Sequence, residues 1–184
     1  TTTTPSTSVA TTWAIDSAHS NVEFSVKHMM ISTVKGMFQQ VEGTIAWDGQ
    51  NVENASVNAR IDSSSITTFN EMRDNHLRQN DFFNAEQWPD ITFTSTRVEQ
   101  DGDDLKVYGD LTIRDVTRPV ILNTELEGIM EKDAFGKRRA AFTATTDINR
   151  KEFGVNWNGA IEGGGVVVGD KVKITLHIAA VQQD

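Results

Sequence analysis

The 184-residue chain has no cysteine, which excludes a disulfide framework, an Fe–S cluster, a thiolate zinc site and a cysteine nucleophile. Proline is scarce, at three residues, and with 13 glycines the composition is neither collagen-like nor that of a proline-rich linker. Tyrosine occurs once, against nine phenylalanines. No apolar run reaches the ~18 residues of a membrane-spanning helix, and nothing near the N-terminus resembles the apolar stretch of a secretory signal. Basic side chains are outnumbered, 17 Lys and Arg against 26 Asp and Glu, for a net charge of −9. Binding to a phosphate backbone needs clustered cations, so nucleic acid is not an expected partner. A strong electrostatic pull toward an anionic membrane is not expected either.

A chain of this length buries roughly 70% of its unfolded surface, so one ordinary domain can hold a core without staples. Residues 1–12 form a polar Thr/Ser tract with nothing to bury and are expected to be a disordered arm. Residues 13–184 are then a single domain. Its dominant signal is a period of two, which marks half-buried strands. Val22, Phe24, Val26 and His28 alternate with polar residues, as do Ala55, Val57, Ala59 and Ile61. Ile91 and Phe93 repeat the pattern. It recurs in Leu105, Val107, Gly109, Leu111 and Ile113, then in Val120, Leu122 and Leu126. Ala140, Phe142 and Ala144 follow, and the chain closes on Val172, Ile174, Leu176, Ile178 and Ala180. Between Gly36 and Trp47 the parity switches from Phe38 to Val41, which predicts a bulge at Gln39–Gln40. Turn signals at 47–49, 100–103 and 135–137 separate the runs. About eight strands joined by hairpins predict an all-β antiparallel barrel, closed because long strands would otherwise leave exposed edges.

One segment has helical character. Thr68 and Glu71 have capping-box spacing, and Asp74 and Arg78 stand at i,i+4. Phe69, Met72 and His76, beside Arg73 and Leu77, suggest an apolar stripe. With a stop at Asn80 and the pair Phe82–Phe83 after it, the segment predicts a short helix capping one barrel end.

Catalytic signals are sparse. The histidines (His19, His28, His76 and His177) show neither HxH nor HExxH spacing. No Gly-x-Ser-x-Gly elbow exists, and Glu162-Gly163-Gly164-Gly165 lacks the Lys-Ser/Thr of a phosphate loop. Asn54-Ala55-Ser56 is a bare glycosylation sequon. His177 is expected on the wet face. His28 shares parity with the inward residues, either as a buried histidine satisfied by a carbonyl or as a polar group meeting a ligand. Phenylalanines on inward positions either fill the core or line an oily pocket. An eight-stranded barrel is the size at which the interior is filled or holds one small ligand, and small inward residues (Gly109, Ala140, Ala144, Ala55, Ala59) leave room. Burying ten ligand carbons would yield roughly 8 kcal/mol before ordering costs.

Four ordered blocks then carry a resemblance. The stretch from Asp16 to His28 with Gly36-Met37-Phe38 resembles the opening of the YceI family. Arg73-Asp74-Asn75-His76-Leu77 with Asp81-Phe82-Phe83 is similar to its helical segment. Tyr108–Arg114 with Thr117, and Ile148–Gly154, match its later blocks. The resemblance implies a lipocalin-like barrel enclosing a long isoprenoid chain, a polyprenyl phosphate or an isoprenoid quinone, in a binding protein without an established reaction. The pocket residues it implies are Phe24, Val26, His28, Phe38, Arg73, His76, Leu77, Phe82, Phe83, Phe93, Phe142, Arg150, Phe153 and Trp157, with His28 or Arg73 near the polar head. The expected function is therefore non-catalytic lipid carriage, with no cofactor and no metal. Two alternatives remain: an enzyme using His28 as general base on a small hydrophobic substrate, and a haem-binding barrel. A cytoplasmic location is expected, or a periplasmic or secreted one if an export segment has been removed. A homodimer is open.

Overall fold

Apolar side chains at every second position place one face of each strand inside, and the backbone amides then have only neighbouring strands as partners. The computed structural model describes residues 11–28, 31–48, 52–79, 82–155 and 168–183. Its strands are β1 Thr11–Ile15, β2 Asn21–His28, β3 Ser32–Phe38, β4 Val41–Trp47, β5 Ser56–Asp62, β6 Ile66–Thr67, β7 Asp90–Asp101, β8 Asp104–Ile113, β9 Val116–Met130, β10 Arg139–Asn149 and β11 Val168–Gln182. One α-helix, α1 (Glu71–Leu77), stands between β6 and β7. Residues 1–10 of the expected arm lie outside the described residues. Thr11 and Thr12 do not belong to it, because they pair with Trp47 and Ala46 in β1.

All pairings are antiparallel. β1 pairs with β4 on one side and β11 on the other, so that Trp13 lies opposite both Ile45 and Gln182. This contact closes the sheet. β2 continues the lane of β1 along β11, β3 runs into β4, and β5 runs into β6. The β-structure is therefore an eight-lane, up-and-down closed barrel, as the strand pattern predicts. Closure leaves no long open edge.

The bends in the split lanes have local causes. Between β1 and β2 the Asp16 carboxylate accepts from the Ala18 amide at 3.1 Å and lies 2.7 Å from His19 Nδ1. Arg139 on β10 donates to the same carboxylate at 2.8 Å. Between β3 and β4, the Gln39 and Gln40 amides turn to Ser65, each at 3.2 Å, at the predicted parity break. A second bulge, between Ser95 and Arg97, moves the inward set of β7 from Ile91 and Phe93 to Val98.

Two close approaches fix glycines. A Cβ on Gly109 would stand 2.5 Å from the Phe93 ring, and one on Gly36 would stand 2.6 Å from the Phe24 ring. Gly109 therefore does not leave room in the barrel; it accommodates Phe93.

The helical segment differs from expectation in detail. Asn70, not Thr68, is the N-cap, and its side chain accepts from the Arg73 amide at 3.1 Å. Thr68 is buried and gives both its amide (2.7 Å) and its hydroxyl (2.5 Å) to Asp74. Asp74 is thereby turned inward instead of pairing with Arg78, which donates to the Ser64 and Ile66 carbonyls. Phe69 and Met72 form no buried stripe, being 79% and 83% exposed. The helix ends at Leu77 with Arg78 as C-cap, and Asn80 lies outside the described residues.

Candidate functional site

Inward side chains do not fill the barrel. A cavity of about 240 Å³ runs inside it, between Trp47 and Phe142 toward one end and Leu77, Phe82 and Phe153 toward the helix-bearing end. Every strand from β4 to β11 except β6 contributes wall residues, each from the inward parity, together with Ile15 of β1, Val22, Phe24 and Val26 of β2 and Phe38 of β3. Thr124, Thr146 and Arg150 are the polar residues among the described lining. Such a wall offers almost no hydrogen bonding, so it selects for hydrocarbon.

The wall has two textures. On β4, β5, β7 and β8, Val41, Ile45, Ile61, Ile91, Phe93, Val107, Leu111 and Ile113 reach the cavity but are otherwise buried in the core. On β9, β10 and β11, Val120, Leu122, Phe142, Val172, Ile174, Leu176 and Ile178 point inward yet stay only partly buried. Their free surface is the cavity. Aromatic rings define its ends. Trp13, 1% exposed, packs 5.6 Å from Trp47, and Phe142 meets Trp47 edge-on at 6.3 Å. Toward the helix, Phe38 lies 5.7 Å from Phe24 and 5.5 Å from Phe83.

Arg150 is the charged group on this wall. It sits in a 3-10 turn after β10, is buried, and donates from Nε to the Gly169 carbonyl (2.9 Å) and from Nη1 to the Val155 carbonyl (2.8 Å). Burial pushes its guanidinium below the ordinary arginine value, and Asp170, 3.8 Å away, partly offsets that. Arg114 braces the same end. It holds a left-handed backbone (φ 57°) in the β8–β9 hairpin and donates to the carbonyls of Phe82 and Gly154, both at 3.2 Å.

Of the residues expected at the site, Phe24, Val26, Phe38, Leu77, Phe82, Phe83, Phe93, Phe142, Arg150 and Phe153 line the cavity. Arg73 and His76 do not. Arg73 donates to the Thr68 hydroxyl (2.7 Å) and carbonyl (2.9 Å). His76 packs edge-on against Phe82 at 5.1 Å, one layer behind the wall. The His28 side chain and all of Trp157 lie outside the described residues, although the His28 backbone pairs with Ser32 and Val168 at the helix-bearing end. His177 faces outward, 3.4 Å from Glu23. The aliphatic wall, above all Ile174, Leu176 and Ile178 of β11, lies outside the pocket set that the resemblance implies. Their strand parity was sufficient to find them. Among the described residues no group of acidic and histidine side chains is placed to hold a metal, and no helix is long and apolar enough to cross a membrane.

Fold and site together define a hollow antiparallel β-barrel with a hydrocarbon-like interior. The chain belongs to the YceI-like domain family, whose profile matches residues 13–180. A UPF0312 protein of Staphylococcus aureus (strain USA300) is 39% identical over 163 residues, covering 89% of this chain and 93% of the relative. The Campylobacter jejuni YCEI protein is similar at 32% identity with a TM-score of 0.73, over 86% of this chain and 90% of that one. Burkholderia cenocepacia BcnA shares the fold at 23% identity with a TM-score of 0.78, covering 90% and 98%. So does a polyisoprenoid binding domain from Saccharophagus degradans implicated in plant cell wall breakdown, at 14% identity, a TM-score of 0.67 and coverage of 95% and 99%.

Proposed function

We propose that this protein is a non-catalytic carrier that holds one long-chain isoprenoid lipid, a polyprenyl phosphate or an isoprenoid quinone, inside its barrel. The observation that carries this reading is the cavity: a tube walled by aliphatic and phenyl groups with Thr124, Thr146 and Arg150 as its polar members. A branched hydrocarbon chain gains about 0.8 kcal/mol for each carbon it buries there and needs no directional partner. Arg150 supplies a cation at the helix-bearing end for a phosphate oxygen or a quinone carbonyl. Membership of the YceI-like family and the shared fold of a polyisoprenoid binding domain support the same ligand class.

The test is extraction of the purified protein with organic solvent, followed by mass spectrometry. Delipidated protein is then titrated with a long-chain isoprenoid quinone, with quenching of Trp47 and Trp13 as the readout. An isoprenoid in the extract and saturable one-to-one quenching are expected. No lipid in the extract together with no saturable quenching would reject the carrier role.

A further inference from the structure

The helix-bearing end carries large apolar side chains that the fold leaves in solvent. Ile31, at the tip between β2 and β3, is 90% exposed, and Phe69 and Met72, at the start of α1, are 79% and 83% exposed. Side chains of this kind normally go inside, and three at one end of a small barrel form a candidate contact surface. Phe69 adds a second observation. Its φ is 62°, a left-handed conformation that is strained for a bulky residue, and the side chain so held points away from the core.

Local charge identifies the occupant. The chain as a whole carries −9, yet residues 24–41 contain Lys27 and Lys35 and no acidic residue at all. Both lysines are exposed. On the adjacent helical segment Asp74 is buried against Thr68, while Arg73 and Arg78 give hydrogen bonds to the neutral oxygens of Thr68, Ser64, Ile66 and Asn75. Both arginines thus bond to neutral oxygens, and Glu71 is the exposed acid of α1. Apolar tips set among cations match a phospholipid surface, where the tips enter the acyl boundary and the cations meet phosphates. The cavity continues from this end into the barrel, its wall there including Val26, Leu77, Phe82 and Phe83.

We propose that this end of the barrel docks on a lipid bilayer, with Ile31, Phe69 and Met72 inserted and Lys27 and Lys35 at the headgroups, so that lipid enters and leaves without crossing water. The docking rests on the carrier role and adds the partner surface from which the lipid comes.

Vesicle co-sedimentation tests it, with phosphatidylcholine vesicles and with phosphatidylcholine–phosphatidylglycerol vesicles. The whole protein should pellet with both and more strongly with the anionic mixture. The triple variant Ile31→Ser, Phe69→Ser, Met72→Ser should bind about tenfold more weakly or worse. Because all three side chains are exposed, its thermal unfolding should match the parent. Lys27→Glu with Lys35→Glu should weaken binding to the anionic vesicles alone. Quinone uptake from detergent micelles should be equal in all variants, whereas uptake from vesicles should slow in the triple variant. Wild-type protein left in the supernatant with both vesicles, or a triple variant that pellets like the parent, would overturn the docking. So would a solution dimer that the triple variant dissociates, since the patch would then be a contact between copies. Failure of vesicle binding with micellar uptake intact rejects the docking and spares the carrier role; failure of uptake from both rejects the carrier role too.

Discussion

The two sides of the barrel use the same alternation of residues for different ends. On β4, β5, β7 and β8 the inward side chains meet each other, and Phe93 even occupies the space that a Cβ on Gly109 would need. On β9, β10 and β11 the inward side chains are just as apolar, but they meet a void. Both walls border the cavity, but the second leaves more free surface for a ligand, although their sequences look alike. Hydrophobic pattern therefore reports which way a residue points, not what it finds there.

Substitutions can separate the two roles. The largest effect is expected at Trp13, which is buried behind Trp47 and is not itself on the cavity wall. Trp13→Ala should cost about 3–5 kcal/mol of folding stability in urea unfolding, while folded protein keeps its quinone affinity. A drop in affinity as large as the loss of stability would mean that this part of the core and the cavity are not independent. On the hollow side, Val120→Phe on β9 should fill the cavity. Affinity should fall tenfold or more, or about 1.4 kcal/mol, with stability shifted by less than about 1 kcal/mol. Unchanged affinity would place the ligand elsewhere.

The lane bend at Asp16 should respond to pH. Hydrogen bonds from Arg139 first and His19 second hold its carboxyl below the ordinary 3.8. A lowered folded-state pKa stabilises above the unfolded value, and that stabilisation is lost as pH falls through the folded value. Asp16→Asn should therefore cost about 1 kcal/mol at neutral pH, and its deficit relative to the parent should close in acid below pH 3.8. A gap that widened on acidification would contradict the assignment. The smallest effect is expected for Ile174→Ala, on the hollow wall. Its stability should fall by about 1 kcal/mol or less, because the side chain already has free surface, while quinone affinity weakens several-fold.

Much of the barrel is legible in the order of residues. Alternation locates the strands, the shift from Phe38 to Val41 locates the bend, and the inward parity of β8 and β11 names wall residues directly. The helical segment is less legible. Thr68 and Glu71 have capping-box spacing, but Thr68 is drawn into the interior by Asp74, so Asn70 takes the cap. Arg73 and His76 share the helix with Leu77, yet only Leu77 reaches the cavity. A helix of two turns is positioned by what it packs on, and its own periodicity has too few residues to decide that.

By itself the sequence determined the period-two strands, the inward face of each, the absence of thiol chemistry and the acidic exterior, because each depends on single residues or on neighbours along the chain. Tertiary structure decided closure, which needs Trp13 to meet Ile45 on one side and, on the other, Gln182 at the far end of the chain. It also decided that Gly109 holds a ring and leaves no void, and that the apolar faces of β9–β11 border a cavity. Whether space inside a barrel is filled depends on the summed volumes of side chains from every strand, and no one segment of the chain carries that sum.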